Sequence, residues 1–528
     1  MTDLPCGWIN TSLSEICGIN PRLDKSAFEK DELVSFIPMP AVEAETGNVD
    51  VSEVRTFSQV KQGYTPFKKD DVLFAKITPC MENGKMAIVP EMASEYGFGS
   101  TEFHVLRPAK DIDPRFIYHV VSNQSFRYHA EHNMTGAVGQ KRVPVTILEE
   151  HEIWLPPIKE QLRIVEKIET LFDEIDKGVE SLKAAKATLG FYRQSLLKSA
   201  FEGRLTADWR EQNPDKLEDP ETLLARIQAE RETRYKAALD DWQEALDAWR
   251  TGGEFGKKPA KPKRPTGVKA QHISDENSPY FPCDWGNARF GTLNVTVSDG
   301  PFGSNLKTSD YTSKGVRVIR LENIGYGDFL EDKCSYVSEE KYETIKKHSV
   351  YPETIVISSF VTDAVRSCIV PKSIPLAINK ADCFAAVLKG DQTNLTFAAY
   401  YFQSPQVFNQ VNGLIHGVGR PRINTTQVKE LHFPICSPAE QAEIVRLLDE
   451  KLDAADALEA EIDASLTRAS ALRQSILKKA FSGQLVPQDP NDEPASVLLE
   501  RIKAEKTVSR GERASSKRGR NAGKKATA

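Results

Sequence analysis

EQLRIVEKIETLFDEIDKGVESLKAAKATLGFYRQSLLKSAFEGRL, residues 160 to 205, returns without a gap as EQAEIVRLLDEKLDAADALEAEIDASLTRASALRQSILKKAFSGQL, residues 440 to 485. The offset is 280 throughout, 16 of the 46 aligned residues are identical, and nine of those identities lie in the closing 13. Steps of three and four from Val165 reach Ile168, Phe172, Ile175, Val179, Leu182, Lys186, Leu189, Arg193, Leu196 and Ala200. The same steps in the second copy reach Val445, Leu448, Leu452, Ala455, Glu459, Ile462, Leu466, Ala469, Arg473, Ile476 and Ala480. An apolar seam of this period, kept for about five heptads, requires a partner helix. No third segment carries the pattern at comparable length, so the partner expected is the other copy, in an antiparallel pair of helices each roughly 60 Å long at 1.5 Å per residue. Arg193 and Arg473 share one seam position; a charge there calls for a local ion pair that fixes register, or for a bound partner subunit.

Outward from the helices, each copy follows a block of about 155 residues, and the blocks resemble each other more weakly. LPCGW at 4 to 8 matches FPCDW at 281 to 285; DVLFAKITPCMENGKMAIVP at 71 to 90 follows the apolar pattern of TIVISSFVTDAVRSCIVP at 354 to 371. GAVGQKRVPVTIL at 136 to 148 already sits at the 280 offset from HGVGRPRINTTQV at 416 to 428. Short β-rich runs at 72–75, 103–106, 316–319 and 355–358, punctuated by Gly, Pro, Asn and Asp, predict strands, and stretches near 114–132 and 395–411 predict helices. Each block therefore reads as α+β with a mostly antiparallel sheet. A chain ordered block, helix, block, helix has approximate internal two-fold symmetry, suited to a target with two related halves.

Between and after these parts lie polar segments. Residues 206 to 250 contain a charged helix whose LLARIQAER recurs as LLERIKAEK at 498 to 506, now at offset 275. Both read as docking surfaces or solvated extensions rather than core. GKKPAKPKRPTGVKA at 256 to 270 has six Lys/Arg and no acid, and the tail from Lys503 to Ala528 has nine against two Glu. Their composition reads as disordered, as a solubilising linker and tail or as DNA contacts.

Composition narrows the classes. At 528 residues, 40% hydrophobic and 27% charged, the chain is a globular protein of two or more domains. The start MTDLPCGWINTS has no basic region before an apolar run, no apolar stretch reaches about 18 residues, and the eight Cys never form C-x-x-C. These features predict a cytoplasmic protein with reduced thiols, no membrane span and no zinc site. No phosphate loop occurs, since GGEFGKK at 252 to 258 has the wrong spacing; H-E-x-x-H is absent, and LPPI at 155 to 158 is not the tetrad of an amino-methyltransferase. His129 and His132 lack further ligands nearby and read as ordinary histidines. The chain reads as a binder without a catalytic residue.

Binding residues are expected in loops. SDGPFGSNLKTSDY at 298 to 311 offers Ser304, Asn305, Lys307 and Thr308, with glycine freedom and short polar groups suited to phosphates or base edges, or else it is a polar surface turn. Gln140, Lys141 and Arg142 stand opposite Arg420 and Arg422 just before each long helix, where Arg can grip phosphate or read guanine, or can be solvated charge beside a turn. Lys76, Asn83 and Lys85 form a weaker set. Against these bases, residues 1 to 155 carry 22 Asp/Glu and 15 Lys/Arg, and the whole chain has net charge −6.

The order of parts, with both RQS-x-L-K-x-AF-x-G-x-L motifs and DGPFGSNLKTSDY, resembles the DNA specificity subunit of Type I restriction-modification enzymes over nearly the whole chain. LTADWR at 205 to 210 further suggests the subfamily with a long extension after the central helix. The resemblance implies an α+β fold in which two target-recognition domains are joined by a long antiparallel two-helix coiled coil with pseudo-two-fold symmetry. It implies target-recognition domains at 1–155 and 277–436, helices at 156–205 and 437–486, a helical extension at 206–250, a basic flexible linker at 251–276, and a short helix with a basic tail at 487–528. It also implies double-stranded DNA as ligand, two methyltransferase and two motor-nuclease subunits as partners, and S-adenosylmethionine, ATP and magnesium on those partners with none on this chain. Each domain would read one half of a split asymmetric site, and the helices would set the spacer. The competing readings are a self-contained restriction-methylation enzyme and a coiled-coil scaffold without DNA selectivity.

Overall fold

The structure is a computed structural model that describes residues 5–137, 139–265, 267–268, 281–282, 284–412 and 421–508. The chain divides into two compact units, Met1–Lys183 with Asp463–Ala528, and Ala184–Ile462. Two helices of 44 residues, a central one at Ile158–Phe201 and a C-terminal one at Pro438–Phe481, contribute one half each to both units.

Within the first unit the N-terminal half of the central helix pairs with the C-terminal half of the other. Ile164, Ile168, Ile476, Leu477 and Ala480 close one apolar cluster with Trp8, and Phe172 and Ile175 pack at its edge. The second unit has the reciprocal arrangement, with Leu196, Leu197 and Ala200 in the same core as Ile444 and Leu448. Both helix pairs are therefore antiparallel. Between 173 and 192 the positions withdrawn from solvent are Ile175, Val179, Leu182, Lys186 and Leu189, which follow the three-four step; Val445, Leu448, Leu452, Ala455 and Ile462 are likewise covered.

The seam arginines are satisfied inside their own units. Arg193 reaches Glu459 at 2.7 Å and also pairs with Asp456, while Arg473 pairs with Asp176 and lies 4.9 Å above the Phe172 ring. The pairs 193 with 456 and 473 with 176 have the same residue-number sum, 649, so each unit by itself uses the same antiparallel offset. Lys186 adds a contact to Glu459 at 3.4 Å.

Each block holds two larger sheets, one with the same four-strand order in both blocks and a companion of four strands in the first block and five in the second. In the first, Cys17–Ile19, Phe103–Pro108, Val72–Ala75 and Met86–Ile88 form an antiparallel sheet. Its counterpart is Val295–Ser298, Cys383–Leu388, Ile355–Val361 and Val365–Ile369. The companion sheets each contain one parallel pair, Leu33–Ile37 beside Tyr96–Gly99 and Val316–Ile319 beside Ala377–Asn379. The strands expected at 72–75, 103–106, 316–319 and 355–358 all lie in these sheets. The expected helices are each broken once, into Pro114–Ser122 and Gln124–His132, and into Leu395–Gln403 and Pro405–Asn412. In both places a new helix restarts on Pro or after an Asn cap, because Asn123 and Ser404 are extended and cannot continue the first.

A two-stranded ribbon gathers the ends of each block, Ile9–Ser12 with Glu152–Leu155 and Gly286–Arg289 with His432–Ile435. Beside it, the indole N–H of Trp8 donates to Glu160 at 3.0 Å, and that of Trp285 donates to Glu440 at 3.0 Å. These Trp and Glu residues come from the repeated PC-x-W and EQ motifs and tie each block to the start of its helix. The other ends of the helices are closed by the glycines of AF-x-G-x-L. Gly203 and Gly483 have φ of +71° and +70°, and a Cβ there would stand 2.2 Å from Pro282 and 2.4 Å from Pro5. Any other residue would meet both a strained backbone and a proline ring.

Two expectations are corrected. LLARIQAER and LLERIKAEK are not solvated extensions: Leu223, Leu224 and Ile227 sit in the second unit's core, and Leu498, Leu499 and Ile502 in the first unit's. A helix mostly polar in composition still buries one narrow stripe of three apolar residues. Residues 257 to 265 are not a free linker either. The indole N–H of Trp242 donates to the carbonyl of Pro259 at 3.1 Å and that of Trp249 to the carbonyl of Gly256 at 3.4 Å, which lays the segment along the helix Pro220–Thr251. Most of the basic tail, from 509 on, lies outside the described residues.

Candidate nucleic-acid interface

The basic loops before the long helices are built the same way in both blocks. The Lys76 N–H donates to the Glu102 carbonyl at 2.9 Å, and the Lys76 carbonyl accepts from Val143 at 2.8 Å. Ser359 does the same between Asp382 at 3.0 Å and Ile423 at 2.9 Å. This bracket places Arg142 beside Ile77 and Arg422 beside Phe360. The Arg142 guanidinium grips Glu102 through two bonds of 2.9 and 2.8 Å and holds that carboxyl below the usual range. Arg422 stands 3.3 Å from Asp382 and 4.2 Å above the Phe360 ring. Both the bases and the acids are 280 apart, a repeat that identity counting missed because the acids are Glu in one block and Asp in the other.

These ion pairs are exposed, so their contribution to stability is small. Their effect is to aim the loop and to offset half of its charge. Gln140 and Lys141 are exposed next to Arg142 and have no side-chain partner among the described residues. Arg420 and Val418 lie outside the described residues.

Lys76 leads into an open cleft of about 400 Å³ lined by Asn20, Arg22, Lys25, Tyr64 and Phe103. Its half-buried ammonium has no hydrogen bond or ion pair among the described residues, and burial lowers its pKa. Lys25 lies 5.6 Å above the Phe98 ring and donates to the Lys61 carbonyl. Arg22 and Lys25 were not legible as site residues; their signal is positional, because NPRLDKSAF at 20 to 28 follows the same strand in the first block that DGPFGSNLKTSD follows in the second. Nearby, His104 is buried with its pKa lowered chiefly by burial, and it bridges Asn20 at 3.0 Å and the Val143 carbonyl at 2.9 Å.

In the second block the corresponding loop forms two short turns, Gly303–Asn305 and Thr308–Asp310, with Ser304 in the first. Leu306 is buried and anchors the loop, which leaves Asn305, Lys307 and Thr308 exposed. Asp310 accepts from the Lys307 N–H at 2.7 Å and pairs with Lys341 at 3.1 Å, and these two contacts hold its carboxyl low. Gly300 has no alternative, since a Cβ would sit 2.1 Å from the Asn379 carbonyl oxygen.

The third proposed set does not hold together. Lys85 turns inward and donates to the carbonyls of Val42 at 2.8 Å and Met39 at 3.3 Å, while Asn83 is exposed in the loop between strands. That loop spans 76 to 85 in the first block, and a short hairpin at 362 to 364 replaces it in the second. The two surfaces thus share a scaffold and differ in their loops.

Two related α+β blocks, each presenting Arg or Lys from its loops and each followed by one copy of a duplicated helix, have the architecture expected of a DNA-recognition protein. The profile described as Type I restriction modification DNA specificity domain matches residues 5–183 and 304–468. The chain is 29% identical over 479 residues to the Type I restriction enzyme EcoAI specificity subunit of Escherichia coli, covering 86% of this chain and 79% of that one. It is 23% identical over 539 residues to the Type I restriction enzyme EcoKI specificity subunit of Escherichia coli strain K12, covering 98% and 99%. A solved chain titled as the structural basis of complex assembly and conformational transition of the type I R-M system shares its fold, with a TM-score of 0.62 and 16% identity over 92% of this chain and all of that one. The chain belongs to the family of Type I restriction-modification DNA specificity subunits. Its function is sequence-specific DNA recognition in a Type I restriction-modification system, and a scaffold without DNA selectivity is not favoured.

Proposed function

We propose that each block reads one half of a two-part, asymmetric DNA site and that the paired helices set the number of base pairs between the halves. The observation that carries this reading is the repeated bracket around Lys76 and Ser359, which presents loops of unlike sequence from one scaffold. Like scaffolds with unlike loops suit half-sites of unlike sequence at a defined separation.

The reading assigns residues 1–155 and 277–436 as the two target-recognition domains and the helices at 156–205 and 437–486 as the spacer. In the first domain Lys76, Arg22, Asn83, Gln140 and Lys141 contact DNA; in the second, Asn305, Lys307 and Thr308 do. Arg142 and Arg422 contribute through the loops they aim. Lys85 is set aside because backbone carbonyls occupy its ammonium. The chain itself carries out no chemistry. It brings two methyltransferase subunits, with S-adenosylmethionine, and two motor-nuclease subunits, with ATP and magnesium, to the site in the cytoplasm. The acidic balance of the first block supports this division, because a duplex held partly by partner subunits needs less charge from the reader.

Exchange of residues 1 to 150 for the matching block of a relative, followed by sequencing of methylated bases in a host that expresses the whole complex, tests the reading. One half of the methylated site should change and the other half should stay. A change in both halves, or in neither, overturns it.

A further inference from the structure

KKPAKPKRP, residues 257 to 265, holds Lys257, Lys258, Lys261, Lys263 and Arg264 and no acid. The chain reaches it by reversing direction after the helix Pro220–Thr251, through positive φ at Gly253, Glu254 and Gly256. It then runs back along that helix. Trp249 bonds Gly256, Trp242 bonds Pro259, and the side-chain oxygen of Gln228 accepts the Val268 N–H at 3.1 Å, so the bonds step down the helix as the chain advances.

Burial along the strap repeats every third residue. Pro259, Pro262 and Pro265 are half-buried, while Lys257, Lys258, Ala260, Lys261, Lys263 and Arg264 are exposed. Three residues per turn is the period of polyproline II, a conformation that proline pre-sets and that needs no hydrogen bonds of its own. The prolines therefore face the helix and the cations face away. None of the five cations has an ion pair among the described residues. Lys261 also lies 5.5 Å above the Trp242 ring, which steadies the strap at its middle.

We propose that this strap is a second, sequence-independent DNA contact, a rigid ridge of five cations that binds the phosphate backbone of duplex DNA outside the recognised bases. The assignment rests on the DNA-reading function and adds a surface to it. At about 3.1 Å per residue the cations spread over roughly 22 Å, about two thirds of a turn of duplex. The outward face has no apolar side chain larger than Ala260, so it lacks the apolar centre of a protein interface. Lysines spaced along a stiff support act as point charges, which suit phosphates rather than base edges. Because the prolines have already fixed the backbone, binding orders little further chain.

The test uses the chain assembled with its partner subunits and a mixed-sequence duplex, with affinity measured over a range of salt concentrations. A variant with all five cations replaced by Ala should bind about ten- to a hundredfold more weakly at low salt. Its plot of log affinity against log salt should be shallower by about 0.9 for each phosphate that the strap no longer neutralises. A second variant, Pro259→Gly with Pro262→Gly and Pro265→Gly, keeps the charge and frees the strap; it should bind more weakly than the parent and keep most of the slope. Unchanged affinity and slope in the five-Ala variant, or dissociation of another subunit from the complex with an unchanged slope, overturns the proposal. Methylated-site sequencing of the five-Ala variant separates this from the two-reader reading, because the recognised sequence should stay the same.

Discussion

His119 and His151 in the first block are neutral rings whose burial pushes both down to about 4. His119 packs edge-on to Tyr118 and Phe172, with centroids at 5.3 and 5.8 Å, and its Nδ1 has no partner. An unfolded imidazole takes a proton below about pH 6.5, while the folded rings refuse it until about pH 4. The unfolded state then binds more protons, so stability falls as pH drops through that window, by about 1.4 kcal/mol per pH unit for each ring. Between about pH 7 and pH 5 each ring should remove roughly 2 kcal/mol from the first unit in urea titrations. Glu160 has the opposite sign, since burial raises its carboxyl and acidification favours the folded form. His119→Phe keeps an aromatic edge in place and should cancel one ring's share. An equal loss in that variant would show that the ring is not the source.

At the scale of elements, what the sequence made legible depended on range. The long helices stood out because a three-four apolar step repeats locally for five heptads, and the burial from Ile175 to Leu189 follows the same step. The strands were legible as strands, but their order was not, since it depends on pairings such as Ile19 with Leu106 and Phe36 with Phe98 that no local pattern encodes. The cleft was only partly legible for the same reason: Lys76 meets Arg22 and Lys25 through the fold and not through spacing. LLARIQAER and LLERIKAEK were read as polar because charge dominates their composition, yet each supplies three residues to a core. Leu498 is 1% exposed and Leu223 is 1% exposed. Leu498→Ala should cost about 2–5 kcal/mol, seen by hydrogen exchange as faster opening of the first unit alone, and Leu223→Ala should do the same to the second. Uniform opening of both units in either variant would contradict separate cores.

For the whole molecule, the shared register is the constraint that matters. Both units use the same antiparallel offset, and the division between them falls at Lys183/Ala184 in one helix and Ile462/Asp463 in the other. On the proposed reading, spacer length changes without touching either reader when both helices are altered together. A single insertion within one unit, on one helix alone, would move Arg193 away from Asp456 and Glu459, or Arg473 away from Asp176, and would leave partly buried charge unpaired. A matched insertion of one heptad after Lys183 and after Ile462 keeps the seam facing its partner. It lengthens the pair by about 10 Å, which corresponds to about three base pairs at 3.4 Å each. In a host expressing the whole complex, the methylated site should keep both halves and gain about three base pairs between them. An unchanged gap with both halves intact would mean that the helices do not set the spacing, and that the separation of the half-sites is fixed by the subunits bound around them.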